Sequence, residues 1–88
     1  MVEDRYRQSM TENEQKVVEI LTSYPPTEDL WKDPIHCVDR VMSWDTARTK
    51  TFVQNLVERG LVAWKTEAIN KADCPDRKPR SWWVQVQP

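Results

Sequence analysis

Glycine is nearly absent from this chain of 88 residues, which contains only Gly60. Loops that cradle the phosphates of a nucleotide need several glycines at fixed spacing, because the backbone must approach the phosphates closely. The single glycine excludes that class of nucleotide site. The sequence also offers no pairing of a nucleophile with a general base. We therefore do not expect an enzyme.

Cysteine and histidine are also scarce, with only Cys37, Cys74 and His36. Two cysteines are too few for a disulfide framework, and a zinc site needs about four ligands. We expect two free thiols with Cys37 in the core, no metal and no cofactor. His36 lies beside an apolar stripe and is expected at the surface rather than as a catalytic base.

Long apolar runs are missing too, so we expect no membrane span, and the first ten residues lack the apolar core of a signal peptide. The corresponding expectation is a cytoplasmic chain. Its length suffices for one small domain. We predict that residues 1–10 form a flexible polar arm and that residues 11–88 form the domain.

Neither sign of charge is in strong excess, because the net charge is −1. This balance argues against a strong non-specific binder of polyanions. The charges are nevertheless uneven, with a net of −4 in residues 1–33 and +3 in residues 34–88. Such a division suggests a molecule with an acidic and a basic face. Ordinary scatter of surface charge accounts for the same numbers.

What the sequence does contain is a series of helical segments with end signals. Thr11 with Glu14 three residues later is a capping box, which predicts a helix over 12–23. Asp33 and Pro34 predict the start of a second helix, as its cap and first residue. The apolar residues expected on the core faces of these two helices are Val17, Ile20, Leu21, Tyr24, Ile35, Val38, Val41 and Met42.

A third helix is predicted from Thr46 to Arg59, capped by Asp45 or Ser43 and ended at Gly60.

Between the first two helices, Leu30 and Trp31 lie in a linker, where they form either an apolar anchor or a short strand. Two strands follow the third helix, "LVAWKTE" and "RSWWVQVQ", joined by a polar loop over 68–80. The second strand alternates, with Trp82, Val84 and Val86 on one side and Trp83, Gln85 and Gln87 on the other.

This order of three helices followed by a hairpin predicts an α+β fold, a winged helix-turn-helix. On a helical wheel, Thr49, Phe52, Val53 and Leu56 of the third helix face the core. Its opposite face carries small, amide and basic side chains, with its only acid, Glu58, at the far end. A helix that reads the DNA major groove has this layout, although any solvated helix face shows similar residues.

The loop "KADCPDRKPR" is basic and adjoins this helix in the predicted fold, so it is a candidate for gripping phosphates or the minor groove. A mobile charged loop is the alternative. The candidate DNA-binding residues of helix and loop are Thr46, Arg48, Lys50, Thr51, Gln54, Asn55, Lys71, Arg77, Lys78 and Arg80.

The segment "FVQNLVERGLV" resembles the recognition helix of the multiple-antibiotic-resistance regulator and penicillinase-repressor families. The segment "DCPDRK" resembles the wing of the first family, and "SWDTARTKT" resembles the start of the recognition helix in the second. The residues that match are Leu56, Glu58, Arg59, Gly60, Leu61 and Val62 in the helix, and Asp73, Asp76 and Arg77 in the wing. The resemblance implies a winged-helix regulator of transcription. Those families dimerise through flanking helices that have no counterpart in this sequence, so a homodimer stays open.

Two functions therefore compete. The first is a small DNA-binding protein, a transcription regulator whose partner is double-stranded DNA. The second is an adaptor that binds another protein through Trp64 and Trp83, which are expected to be exposed on the wing. A cross-strand pair of these two tryptophans that only stiffens the wing is an equally weighted alternative.

Overall fold

The computed structural model describes residues 10–70, 72–73 and 75–86. They form three helices and two strands: α1 (Glu12–Ser23), α2 (Asp33–Met42), α3 (Thr46–Glu58), β1 (Val62–Thr66) and β2 (Ser81–Gln85). The predicted α+β order of three helices and a hairpin is confirmed. Residues 1–9, which make up most of the predicted arm, lie outside the described residues, as do Lys71, Cys74 and Gln87. None of the described helices has the length and apolar character needed to cross a membrane.

Helix α1 begins with the predicted capping box. The Thr11 hydroxyl accepts the Glu14 amide at 3.1 Å, and the Glu14 carboxylate accepts the Thr11 amide at 2.8 Å. Two amides that would lack a helical partner are satisfied in this way. The helix ends at Ser23, after which Tyr24 has extended backbone angles ahead of Pro25.

Helix α2 begins one residue earlier than expected. The predicted cap at Asp33 is wrong, because Asp33 is already helical and the N-cap residue is Lys32, which makes no side-chain capping bond. The Lys32 carbonyl accepts the His36 amide at 2.9 Å. Asp33 instead places its negative charge in the first turn, where the helix dipole favours it.

The predicted core face of α2 needs one further correction. Val41 is 59% exposed, whereas Ile35 and Val38 are fully buried. At about 100° per residue, Met42 lies within about 20° of Ile35 around the helix, whereas Val41 lies about 120° from Ile35 and so falls off the buried face. Cys37, predicted in the core, is only half-buried, and its thiol is free.

Helix α3 ends in a left-handed glycine, as the sequence indicated. Gly60 has φ of +73°, and its amide bonds the Val57 carbonyl while the Leu61 amide bonds the Leu56 carbonyl. These two bonds form a Schellman motif, which satisfies carbonyls at the helix end. The chain is thereby turned directly into β1.

The two strands pair antiparallel, with Trp64 opposite Trp83 and Val62 opposite Gln85. A bridge from the linker adds to the sheet, because Thr27 and Ser81 exchange backbone hydrogen bonds of 2.8 and 2.7 Å. Leu30 is 7% exposed, which confirms the anchor alternative for this residue. The short stretch of strand pairing in the linker lies at Thr27 instead.

The expected exposure of Trp83 is wrong, since this side chain is only 1% exposed. Its ring makes edge contacts with Trp31 at 5.3 Å and with Trp64 at 5.6 Å between centroids. Both alternating sets of β2 contain a tryptophan, so alternation alone does not select the inner face. Trp64 lies two residues after buried Val62, so both side chains are on the same face of β1. Because Trp83 pairs with Trp64, it also lies on this face, toward the core.

The core receives side chains from all three helices, the linker and the hairpin. Its buried apolar members are Val17, Val18, Leu21, Leu30, Ile35, Val38, Val53, Leu56, Val62 and Trp83. Because the hairpin contributes to this core, it holds a fixed position beside α3.

Candidate nucleic-acid interface

Helix α3 has two faces with separate roles. Thr49 and Val53 are fully buried and Leu56 is 1% exposed, so these side chains serve the core, as predicted. The opposite face is exposed as expected, and its candidate contact residues are Arg48, Lys50, Thr51, Gln54 and Asn55. No acid lies in the first turn of the helix proper. The N-terminal half of this exposed face therefore presents amide, hydroxyl and basic groups.

The start of α3 is held by two acidic side chains. The Asp45 carboxylate accepts the Arg48 amide at 2.7 Å, which confirms the predicted cap. Thr46, a candidate DNA contact, is half-buried and donates its hydroxyl to Asp39 Oδ2 at 2.7 Å. In this arrangement Thr46 joins α3 to α2, and its hydroxyl proton is already used.

Asp39 is the centre of a small polar cluster between α2 and α3. Its Oδ2 also lies 3.3 Å from Nδ1 of His36, which is exposed as predicted. Burial raises the pKa of Asp39, but the hydroxyls of Thr49 and Thr46 and the His36 ring lower that pKa by more. The carboxylate is thus held charged between the two helices.

Arg48 is positioned by an aromatic pair that was not predicted from the sequence. Its guanidinium lies over the Trp44 ring at 4.6 Å from the centroid, and Trp44 packs on Phe52 at 4.9 Å. A cation above an indole face is attracted by the ring quadrupole. This contact limits the freedom of Arg48 while leaving it exposed.

A surface groove of about 580 Å³ runs beside this part of α3. Arg48, Thr51 and Asn55 line it from α3, and Glu14 lines it from α1. Glu14 also forms an ion pair with Arg59, the residue that caps the end of α3. The structure therefore brings three of the candidate contact residues together along one flank of the helix.

The pKa of Glu14 reflects the same surroundings. Burial raises this pKa, but the Thr11 amide and the Arg59 guanidinium stabilise the carboxylate and bring the pKa below its ordinary value. Glu14 therefore stays charged at neutral pH and connects the start of α1 with the end of α3.

Two arginines of the predicted loop lie against one carboxylate. Arg77 Nη2 is 2.9 Å from both carboxylate oxygens of Glu67, and Arg80 Nη2 is 3.7 Å from Oε2. Lys78 is exposed. Lys71, the fourth base predicted to contact DNA from this loop, lies outside the described residues.

The base of the loop also faces acidic side chains of the linker. Lys78 and Arg80 line one surface depression together with Glu28, Asp29 and Asp33. Acidic and basic groups are neighbours there, so the uneven charge along the sequence does not separate into two opposite faces in this region.

Of the two wing tryptophans considered for a protein interface, only Trp64 is exposed, at 46%. It forms the predicted cross-strand pair with Trp83. In the described part of the chain no group of three or more His, Cys, Asp and Glu side chains is placed to hold a metal ion.

Three residues that organise this surface were not predicted from the sequence. Trp44 orders Arg48, Asp39 binds Thr46, and Glu67 binds Arg77 and Arg80. A tryptophan four residues before an arginine was the one local signal for the first of these contacts. The other two join different elements and have no comparable sequence signal.

Comparisons of this chain with protein-family models, with curated proteins and with solved structures found no match.

Proposed function

We propose that this chain is a winged helix-turn-helix protein that binds double-stranded DNA and regulates transcription. The observation that carries the proposal is the exposed face of α3, where Lys50, Thr51 and Gln54 have no core role. The layout supports it, because α2 and α3 are joined by a short turn and followed by an antiparallel hairpin.

In the proposed complex, α3 lies in the major groove. Gln54 and Asn55 carry amides that match the adenine edge, and Lys50 and Arg48 match guanine or a nearby phosphate. The loop between β1 and β2 is the wing and contacts the backbone through its basic side chains. These contacts would fix the register of α3 in the groove.

The test is titration of duplex DNA with wild type and with the double variant Arg48→Ala and Lys50→Ala at two salt concentrations. We expect the variant to bind about tenfold more weakly or worse, since each base or phosphate contact is worth about 1–3 kcal/mol. The matched control is Lys16→Ala with Arg40→Ala, which removes the same charge from exposed positions of α1 and α2.

Equal weakening by both double variants would mean that only net charge matters and would contradict a role for α3. Wild type that fails to bind at low salt would contradict the whole proposal. That result would favour the alternative function, an adaptor that binds another protein through the exposed ring of Trp64. A mass measurement over a range of concentrations tests whether that partner is a second copy.

A further inference from the structure

We propose that Glu67 orders Arg77 and Arg80 into a two-armed site for one phosphate of the DNA backbone. This inference rests on the proposed function and names a contact within it. Glu67 acts as a positioning residue, since it holds the arginines and does not itself touch the phosphate.

The backbone under this cluster is fixed by the sheet. The Glu67 amide donates to the Arg80 carbonyl at 2.8 Å, which extends the strand pairing one step beyond Thr66 and Ser81. The hydroxyls of Thr66 and Ser81 also bond each other at 2.9 Å. Glu67 and Arg80 thus start from facing positions at the base of the wing.

The carboxylate of Glu67 is the least exposed member of the cluster. Its side chain is 26% exposed, compared with 44% for Arg77 and 48% for Arg80. Both arginine side chains are therefore more accessible to an approaching anion than the side chain of Glu67.

Both arginines keep donors available for a ligand. A guanidinium carries five N–H donors, and Arg77 directs a single nitrogen, Nη2, at the two Glu67 oxygens. Arg80 is held more loosely at 3.7 Å. Among the described residues neither side chain has another ion-pair partner, and the cluster keeps a net charge of +1.

The geometry suits a phosphate group. Because both guanidinium groups lie within 4 Å of the same carboxylate, they are held close to each other despite their like charges. Arginine forks bind phosphate oxygens in pairs of parallel hydrogen bonds. Ordering two long side chains before DNA arrives removes part of the entropy cost of forming those bonds.

A positioning role for Glu67 and a purely electrostatic role predict opposite changes in DNA affinity when the negative charge of Glu67 is removed. Removing a negative charge near the DNA should tighten binding if charge alone matters. If Glu67 positions the arginines, its removal should weaken binding. The variant Glu67→Gln distinguishes these cases, because glutamine keeps the shape and loses the charge.

The experiment measures binding of labelled duplex DNA by anisotropy at several salt concentrations. We expect E67Q to bind about threefold to tenfold more weakly than wild type, with the slope of log affinity against log salt reduced by about one. The control is Glu58→Gln, which removes the same charge from an exposed position of α3. E58Q should bind as tightly as wild type or more tightly.

A second pair of variants tests whether Glu67 acts through the arginines. In a background of Arg77→Ala and Arg80→Ala, E67Q should cause no further weakening. R77K with R80K keeps the charge but loses the forks, and it should weaken binding as E67Q does. Circular dichroism checks that each variant is folded.

The outcomes separate this inference from the proposed function. If wild type binds DNA and E67Q binds equally well or better, Glu67 has no positioning role and the proposed function is unaffected. If E67Q still weakens DNA binding in the background that lacks both arginines, the inference is likewise overturned. Wild type that does not bind duplex DNA would overturn both.

Discussion

Single carboxylates join different helices of this protein. Glu14 connects the start of α1 to Arg59 at the end of α3, and Asp39 connects α2 to Thr46. Each acid satisfies donors that would otherwise lack a partner in a half-buried setting. The charge state of these residues should therefore affect stability as well as the placement of α3.

The pH dependence of Glu14 follows from its lowered pKa. Burial opposes the charged form, but the Thr11 amide and Arg59 outweigh that effect. The folded state therefore binds a proton less readily than the unfolded chain, whose glutamates have a pKa of about 4.3. The stabilisation is complete above that value and is lost as pH falls through the lower folded pKa.

Glu14→Gln tests this charge while keeping the capping box, which accepts glutamine at this position. We expect the variant to be less stable by about 1 kcal/mol at pH 7, the scale of a partly buried ion pair with hydrogen bonds. Thermal unfolding of both proteins from neutral to acid pH gives the measurement. The difference should shrink towards low pH, and a constant difference would mean that the charge is not responsible.

At the scale of elements, the helices were predictable because their end signals are local. The Thr11 capping box, the Asp45 cap and Gly60 each act within a few residues, and all three are present in the structure. The exposed face of α3 was predictable for the same reason, since a helical wheel needs only the sequence of that helix.

Contacts between elements were not predictable. The inner face of β2 depends on its register with β1, which brings Trp83 against Trp64 and Trp31. The ion pairs of Glu67 depend on the pairing of the two hairpin strands, which are joined by a long polar loop. A sequence pattern gives the period of such elements, but pairing partners decide which residues meet.

Gly60 gives a prediction at this scale. Gly60 has φ of +73°, and apart from the adjacent residues no atom lies within 4 Å of the place where a Cβ would be. An added side chain therefore meets only the cost of the left-handed backbone conformation. Gly60→Ala should destabilise the fold by about 1–2 kcal/mol, the cost of the left-handed region for alanine. Gly60→Asn should cost less, because asparagine tolerates that region better.

Chemical denaturation of the two variants measures this difference. The ranking matters more than either value, since both side chains enter open space and differ mainly in their tolerance of positive φ. Equal destabilisation would indicate that the Schellman turn is not the cause. An effect below a few tenths of a kcal/mol for alanine would mean that the turn readjusts.

At the scale of the whole molecule, one core unites the helices and the hairpin. Trp83 is the largest of its fully buried side chains and lies on the last strand, while Val17 and Leu21 come from the first helix. The order of α3 therefore depends on residues at both ends of the described chain. Small domains of this kind have limited stability to spare, typically about 5–15 kcal/mol.

Two tryptophans that face each other across the hairpin provide a matched test of this dependence. Trp83→Ala should cost about 3–5 kcal/mol, because it removes a buried ring and leaves a cavity in the core. Trp64→Ala removes the same side chain from a position that is 46% exposed and should cost clearly less. Far-ultraviolet circular dichroism during denaturation follows the helices in both variants. If the hairpin belongs to the cooperative unit, the helices of W83A should unfold at a clearly lower denaturant midpoint than those of W64A. Equal midpoints would show that the helices fold without the buried ring. In that case α3 is positioned independently of the wing.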